Sequence, residues 1–199
     1  MKLSKLVCGI VTVMALAIMV PGYSANLYAS NIVSNGGFET GDFTNWSQFG
    51  DTTFNGVQCP GPSFVVSEGN CGAFFGPIGT TGGISQVFST IAGQAYQIDF
   101  DFKDDGGAPS SFAAIFDGNT LINLSNPSGG PFQHYSFLST ATTNSTTLSF
   151  SFRDDPGFLL LDAVRVEESA VPEPTSLLLL GSSLGGIALA FVKRAKNQI

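Results

Sequence analysis

Tyr96-Gln97-Ile98-Asp99-Phe100-Asp101-Phe102-Lys103 sets an apolar side chain at every second position and a polar one between each pair. A period of two belongs to an extended strand with one face buried and the other wet. Leu148-Ser149-Phe150-Ser151-Phe152-Arg153 repeats the pattern. Working outward, shorter apolar runs at 64–66, 73–75, 84–88, 112–116, 132–138 and 159–166 read as further strands. Turn-forming clusters separate them, among them Asp117-Gly118-Asn119 and Asn126-Pro127-Ser128-Gly129-Gly130. No stretch of this region has a long, capped 3.6-residue pattern. Many short strands at this spacing predict an all-β, two-sheet jelly-roll sandwich.

The two ends of the chain are different in kind. Lys2 and Lys5 precede an uncharged apolar run from residue 6 to 20, then Pro21, Gly22 and small residues at Ser24, Ala25 and Ala29. That order describes a signal peptide over 1–29, cut between 24 and 29; the alternative is a retained anchor. Residues 175–192 contain no charge and would make a helix of roughly 27 Å, enough to cross a bilayer core. Lys193, Arg194 and Lys196 follow, and such charges stay cytoplasmic. The reading is therefore an exported sandwich over 30–169 and a membrane-inserted tail over 170–199.

The exported part is strongly acidic. Between Ser30 and Ala170 the basic residues are Lys103, Arg153 and Arg165, against fourteen acidic ones. Such a domain repels nucleic acid and suits cations or neutral partners such as sugars. Cys59 and Cys71 remain after the signal is removed, an even number in an oxidising compartment, and are expected to pair. A metal pair is the alternative, with His134 distant in sequence.

Val171-Pro172-Glu173-Pro174, a Leu/Gly-rich span and a basic end together resemble the PEP-CTERM sorting tail, also known as the ice-binding-protein C-terminal motif. The resemblance implies a Gram-negative host that makes extracellular polysaccharide. It also implies an exosortase that processes the tail near Pro172-Glu173-Pro174. An ordinary single-pass anchor with a Pro-rich stalk is the plainer reading.

Two further strings resemble galactose-binding-domain-like sandwiches, which include many carbohydrate-binding modules. They are Asn35-Gly36-Gly37-Phe38-Glu39-Thr40-Gly41, with Trp46 just beyond, and Leu161-Asp162-Ala163-Val164-Arg165-Val166. The resemblance implies a structural calcium shared by Glu39 and Asp162. A physical argument runs alongside it. If Leu160, Val164 and Val166 face the core, alternation puts Asp162 there too, and a buried carboxylate needs a partner. A hard cation would serve; so would backbone donors.

Phe102-Lys103-Asp104-Asp105-Gly106-Gly107 is echoed by Phe152-Arg153-Asp154-Asp155-Pro156-Gly157. Each ends an amphipathic strand with two carboxylates in a turn, either as simple strand stops or as a pair of cation-contacting loops. His134 reads as an outward surface residue beside core-facing Tyr135 and Phe137. With no nucleophile elbow, zinc motif or phosphate loop, the chain does not read as an enzyme. Trp46, Phe49, Phe54 and Phe158 lie in loop-like stretches and could face a sugar, although most Phe in a small sandwich build core. The expected role is a structural or binding module for extracellular polysaccharide. An adhesin-like or ice-contacting protein and a secreted glycoside hydrolase are the rivals.

Replacing Glu173 with Ala is expected to leave an unprocessed, membrane-retained chain in an exosortase-bearing host. Mass spectrometry of both forms checks this, and identical processing would refute the sorting role of that residue.

Overall fold

A computed structural model describes residues 30–63 and 65–169. The signal peptide over 1–29, the Pro172-Glu173-Pro174 segment and the membrane helix over 175–192 lie outside the described residues. Within them the fold is all-β and contains no helix.

Ten strands form two antiparallel sheets of five. In the first sheet the order is β1 (Ser47–Gly50), β4 (Gly82–Ser89), β9 (Ser145–Asp154), β6 (Ser110–Phe116) and β7 (Asn119–Ser125). In the second it is β2 (Gly56–Gln58), β3 (Gly72–Phe75), β10 (Leu159–Glu168), β5 (Ala95–Asp104) and β8 (Gln133–Thr140). The chain changes sheet at β4→β5→β6 and again at β8→β9→β10, so the two longest alternating strands, β5 and β9, sit in opposite layers.

The alternation read from the sequence is what fills the core. Tyr96, Ile98, Phe100 and Phe102 from β5 and Leu148, Phe150 and Phe152 from β9 are all buried. Aromatic rings meet across the gap between sheets: Phe75 stacks on Phe152 at 3.8 Å between centroids and Phe102 on Phe112 at 4.0 Å. Phe100 meets Phe150 edge-on at 5.1 Å. Such pairs add about 0.5–1.5 kcal/mol each beyond the area they bury. Tyr135 and Phe137 line the half-buried side of edge strand β8 and stack on Phe100.

Three strands were not legible. β1 and β2 are short edge strands, exposed or half-exposed throughout, so they carry no apolar alternation. β7 is an edge strand whose pairing with β6 shifts register between Ala114 and Ile115, which breaks its period. The strand expected at 64–66 is replaced by a turn: the amides of Val65 and Val66 both donate to the carbonyl of Pro62. Phe64 itself lies outside the described residues.

β10 departs from simple alternation, and this corrects the argument about Asp162. Asp162 pairs with Asp101 and Arg165 with Asp99, so Ala163 and Val164 together oppose Phe100. This β-bulge places Ala163 at φ 53° and reverses the face presented by the strand. Leu159 and Leu161 point into the core, Leu160 and Asp162 point to the outer face, and beyond the bulge Val164 and Val166 point inward again. Asp162 is thus buried on the outside of the sheet. The N-terminal segment locks the bulge: the Val164 amide donates to the Gly36 carbonyl, and a Cβ at Gly36 would come within 2.0 Å of the Val164 oxygen. This close approach explains the glycine in Asn35-Gly36-Gly37.

Cys59 and Cys71 form a disulfide, with their Cα atoms 4.5 Å apart. It closes the loop that lies over the outer face of the second sheet. Thiol labelling of the denatured, unreduced protein is expected to find neither cysteine. Cys71→Ser is expected to cost about 3 kcal/mol, from the loop-closure entropy that the bridge removes, read as a lowered midpoint in urea.

Candidate functional site

The loop between β2 and β3 is the centre of the arrangement. Besides the disulfide, two carboxylates hold it. Asp162 Oδ2 accepts the amides of Ser67 (2.8 Å) and Glu68 (3.0 Å), and its Oδ1 accepts that of Ala163 (2.7 Å). Glu39 Oε1 accepts the amides of Asn70 (2.8 Å) and Cys71 (3.1 Å). Burial raises the Asp162 carboxyl above the usual range, the three amide donors pull it back, and the nearby Asp101 charge adds to the rise. Glu39 and Asp162 both approach Gly37: a Cβ there would sit 3.7 Å from Glu39 Cγ and 3.9 Å from Asp162 Oδ1. Four backbone N–H groups within residues 67–71, with that of Ala163 from β10, supply the partners of the two carboxylates, and three of the five satisfy the buried Asp162.

Around this loop the outer face is polar. Ser67 Oγ also donates to Asp101, His134 Nδ1 lies 2.8 Å from Asp101 Oδ1, and Arg165 pairs with Glu68. His134 is exposed, as expected, and its ring is held by carboxylates. This network fixes the edge of the loop.

Beyond the loop an open recess of about 200 Å³ is lined by Gln58, Val65, Phe74, Asp105, Phe158 and Leu160. Leu160, turned outward by its position before the bulge, forms its floor. Phe74 and Phe158 meet edge-on at 5.5 Å and make an aromatic wall. Phe158 is also the partition to a second recess of about 170 Å³, whose lining includes Phe54, Ile78 and Gly157. Phe54 is 58% exposed and Phe158 37%. Gln58 and Asp105 offer hydrogen-bonding groups beside these faces, and Asp105 Oδ1 accepts the Phe158 amide at 2.8 Å.

Of the four aromatic candidates, Phe54 and Phe158 border this double groove. Trp46 does not: it is buried against Phe38 and Phe150, with its indole N–H donating to the Asn35 carbonyl. Phe49, 40% exposed, lies over Gly83, whose missing Cβ makes room for the ring. Gln58 and Phe74 were not singled out in the sequence, since nothing local distinguishes them; the pairing of β2 with β3 brings them to the recess. The threonines at 142, 143, 146 and 147 form no common flat face, because Thr146 is buried and bonded to Thr90, while Thr142 binds Asp117.

The two echoed turns meet at one end of the sandwich. Ligand atoms of Asp104, Asp105 and Asp154 lie within 4.8 Å of one another. Burial, reinforced by the charges of Asp104, Asp105 and Asp155, pushes the Asp154 carboxyl up to about 6. Asp155 is neutralised separately by a two-pronged contact from Arg153.

Comparison with known proteins adds to this geometry at both the tail and the sandwich. Residues 170–194 match the PEP-CTERM protein-sorting motif. The match spans Pro172-Glu173-Pro174 and the apolar run after it, and it marks a PEP-CTERM chain as exported to the cell surface and processed by an exosortase. Among curated proteins, none matches the sequence. The sandwich is similar to solved structures. One is TmCBM61 in complex with β-1,4-galactotriose, at 19% identity and TM-score 0.60, covering 71% of this chain and 100% of that one. Another is the C-terminal family 22 carbohydrate-binding module of Clostridium thermocellum Xyn10B, at 14% identity and TM-score 0.51, covering 74% and 98%. A third is the enzymatically active domain of bacteriophage CBA120 tailspike protein 4, at 17% identity and TM-score 0.54, covering 70% of this chain but 21% of that one. At these identities the likeness is one of fold. The two that are covered almost whole are binding modules.

Asp162→Ala removes the acceptor for three amides and is expected to destabilise the domain by on the order of 2–3 kcal/mol. It is also expected to open the disulfide-closed loop to proteolysis between residues 59 and 71. Unchanged melting and unchanged cleavage would refute its bracing role.

Proposed function

We propose that this protein is an exosortase-processed surface protein of a Gram-negative bacterium, whose sandwich binds extracellular polysaccharide without turning it over. The membrane helix over 175–192 would hold the chain transiently until the tail is processed. The observation that carries the binding role is the double groove. Phe158, partly exposed, divides the two recesses, with exposed Phe54 bordering one of them and Gln58 and Asp105 the other. Sugars bind proteins by laying C–H faces on aromatic rings while their hydroxyls bond to nearby polar groups. The binding-module fold supports this as an analogy.

A hydrolase is the less favoured reading. A glycosidase needs two carboxylates that reach the scissile bond. In the echoed turns Asp104 and Asp154 are almost wholly enclosed, at 2% and 0% exposure, and no substrate can touch them. An ice-contacting role lacks a flat threonine array, as described above.

A structural calcium between Glu39 and Asp162 belongs to the proposal as well. Their juxtaposition across Gly37 supports it, and the lone pairs not used by amides would be the ligands. Its contribution would be to stiffen a loop that the amides and disulfide already hold. Asp162→Asn puts an NH2 donor against a backbone amide and would lower the midpoint in both buffers. It would also remove this ion's share of the difference between millimolar calcium and EDTA that wild type is expected to show.

Affinity electrophoresis of the full chain in polysaccharide gels, followed by a glycan array, tests the binding role. Phe158→Ala is expected to weaken binding by roughly tenfold, about 1.4 kcal/mol, with the melting midpoint retained. Equal retention of mutant and wild type would remove the groove from consideration. Release of reducing sugar by the wild type would replace binding with hydrolysis.

A further inference from the structure

Asp104 and Asp154 end their strands at positions that alternation assigns to the core. Phe100, Phe102 and Asp104 share the inner face of β5; Phe150, Phe152 and Asp154 share the inner face of β9. The two strands belong to opposite sheets, so two inward carboxylates close the same end of the aromatic core. Asp154 is completely buried, and neither of its carboxylate oxygens has a hydrogen-bond partner. That is the reverse of Asp162, which is equally buried but holds three amides.

Several acceptors crowd against Asp154. A Cβ at Gly157 would lie 2.7 Å from Asp154 Oδ2, 2.9 Å from the Gly106 carbonyl oxygen and 3.0 Å from Asp105 Oδ1. A Cβ at Gly107 would lie 2.7 Å from Asp154 Oδ1 and 3.2 Å from the Pro156 carbonyl oxygen. Glycine at both positions therefore lets the Gly106 and Pro156 carbonyls and the Asp105 carboxylate come close beside Asp154, with Asp104 completing the cluster. The donors nearby are partly committed elsewhere on the cluster: the Gly106 amide and the Ser110 hydroxyl go to Asp104, and the Phe158 amide to Asp105. Arg153 is engaged with Asp155, and Lys103 projects from the other face of β5, its ammonium 5.8 Å from the Phe132 ring centre. Acceptors cannot satisfy acceptors, and a buried carboxylate without a donor is costly.

We propose that the echoed turns form a calcium site, with Asp104, Asp105 and Asp154 as carboxylate ligands and the carbonyls of Gly106 and Pro156 as neutral ones. An all-oxygen set without His or Cys suits a hard cation. Calcium accepts six to eight oxygens in adaptable geometry, whereas magnesium demands a near-ideal octahedron and keeps several waters. The ion would tie the β5–β6 turn of one connection to the β9–β10 turn of the other. Asp105 binds the Phe158 amide, and the Asp105 amide donates to the Phe158 carbonyl, so the same ion would anchor the partition of the groove. This site is separate from Glu39 and Asp162 and does not rest on sugar binding.

The test is equilibrium dialysis of the full chain in detergent against radioactive calcium, with thermal melting in EDTA and in calcium. Wild type is expected to bind an ion that Asp154→Asn loses and Asp162→Asn keeps. Asp154→Asn removes a buried charge while retaining its shape, so its midpoint in EDTA is expected to be no lower than that of wild type. Exposed Asp105→Asn serves as a milder variant that leaves the core face alone and is expected to weaken calcium by roughly tenfold. No calcium bound by wild type would overturn the proposal. So would an Asp154→Asn chain with the wild-type count, or an unchanged affinity in Asp105→Asn.

Discussion

β10 has to serve two surfaces, and the bulge at Ala163 and Val164 is how one strand does both. Before it, Leu159 and Leu161 fill the core while Leu160 and Asp162 face outward; after it, Val164 and Val166 return to the core. A straight strand would send either the valines or the leucines to the wrong side. The N-terminal segment is fitted to this irregularity. Its Gly36 carbonyl takes the Val164 amide, and the Ile32 amide reaches the Val166 carbonyl. The outward residues then receive the β2–β3 loop, so the floor of the groove and the anchor of its neighbouring loop are both consequences of the phase change.

Of the three deeply buried aspartates among the described residues, Asp162 and Asp154 are of opposite character. Asp162 is a brace: backbone donors converge on it, and its charge is spent in holding a loop that the disulfide and Glu39 also restrain. Asp154 has no such donors and stands among other oxygens. Burial of a carboxylate with amides contributes to stability, whereas burial among acceptors costs stability until a positive partner arrives. The first arrangement is complete within the chain, and the second has the chemistry of a site that takes something from outside.

The groove lies where these features converge. Its floor is Leu160, one wall rises from β3 as Phe74, and its partition, Phe158, leaves the echoed turn immediately before β10. Asp105 joins the turn to the partition through two hydrogen bonds. Phe158 is therefore held through both its amide and its carbonyl, which would limit the ordering cost of placing a ligand against its ring. The acidic surface around them favours an uncharged partner over an anionic one.

The two-residue alternation of 96–103 and 148–153 was enough to give a two-layer β fold, because burial on one face imposes that period directly on the sequence. The cysteine pair and the sorting tail were legible for similar reasons, one from compartment and parity, the other from an ordered string of motif, apolar span and positive charge. The edge strands were not legible, since a strand with little buried surface leaves no period to read. Nor was the face of Asp162, because a bulge is set by how β10 meets β5 and the Gly36 loop, and alternation alone assigns it the wrong side. The echo of two Asp-Asp turns was visible in the chain, but residues 104 and 154 are fifty positions apart. Only the packing of opposite sheets brings their carboxylates to one end of the core, where distance and the lack of donors decide their chemistry.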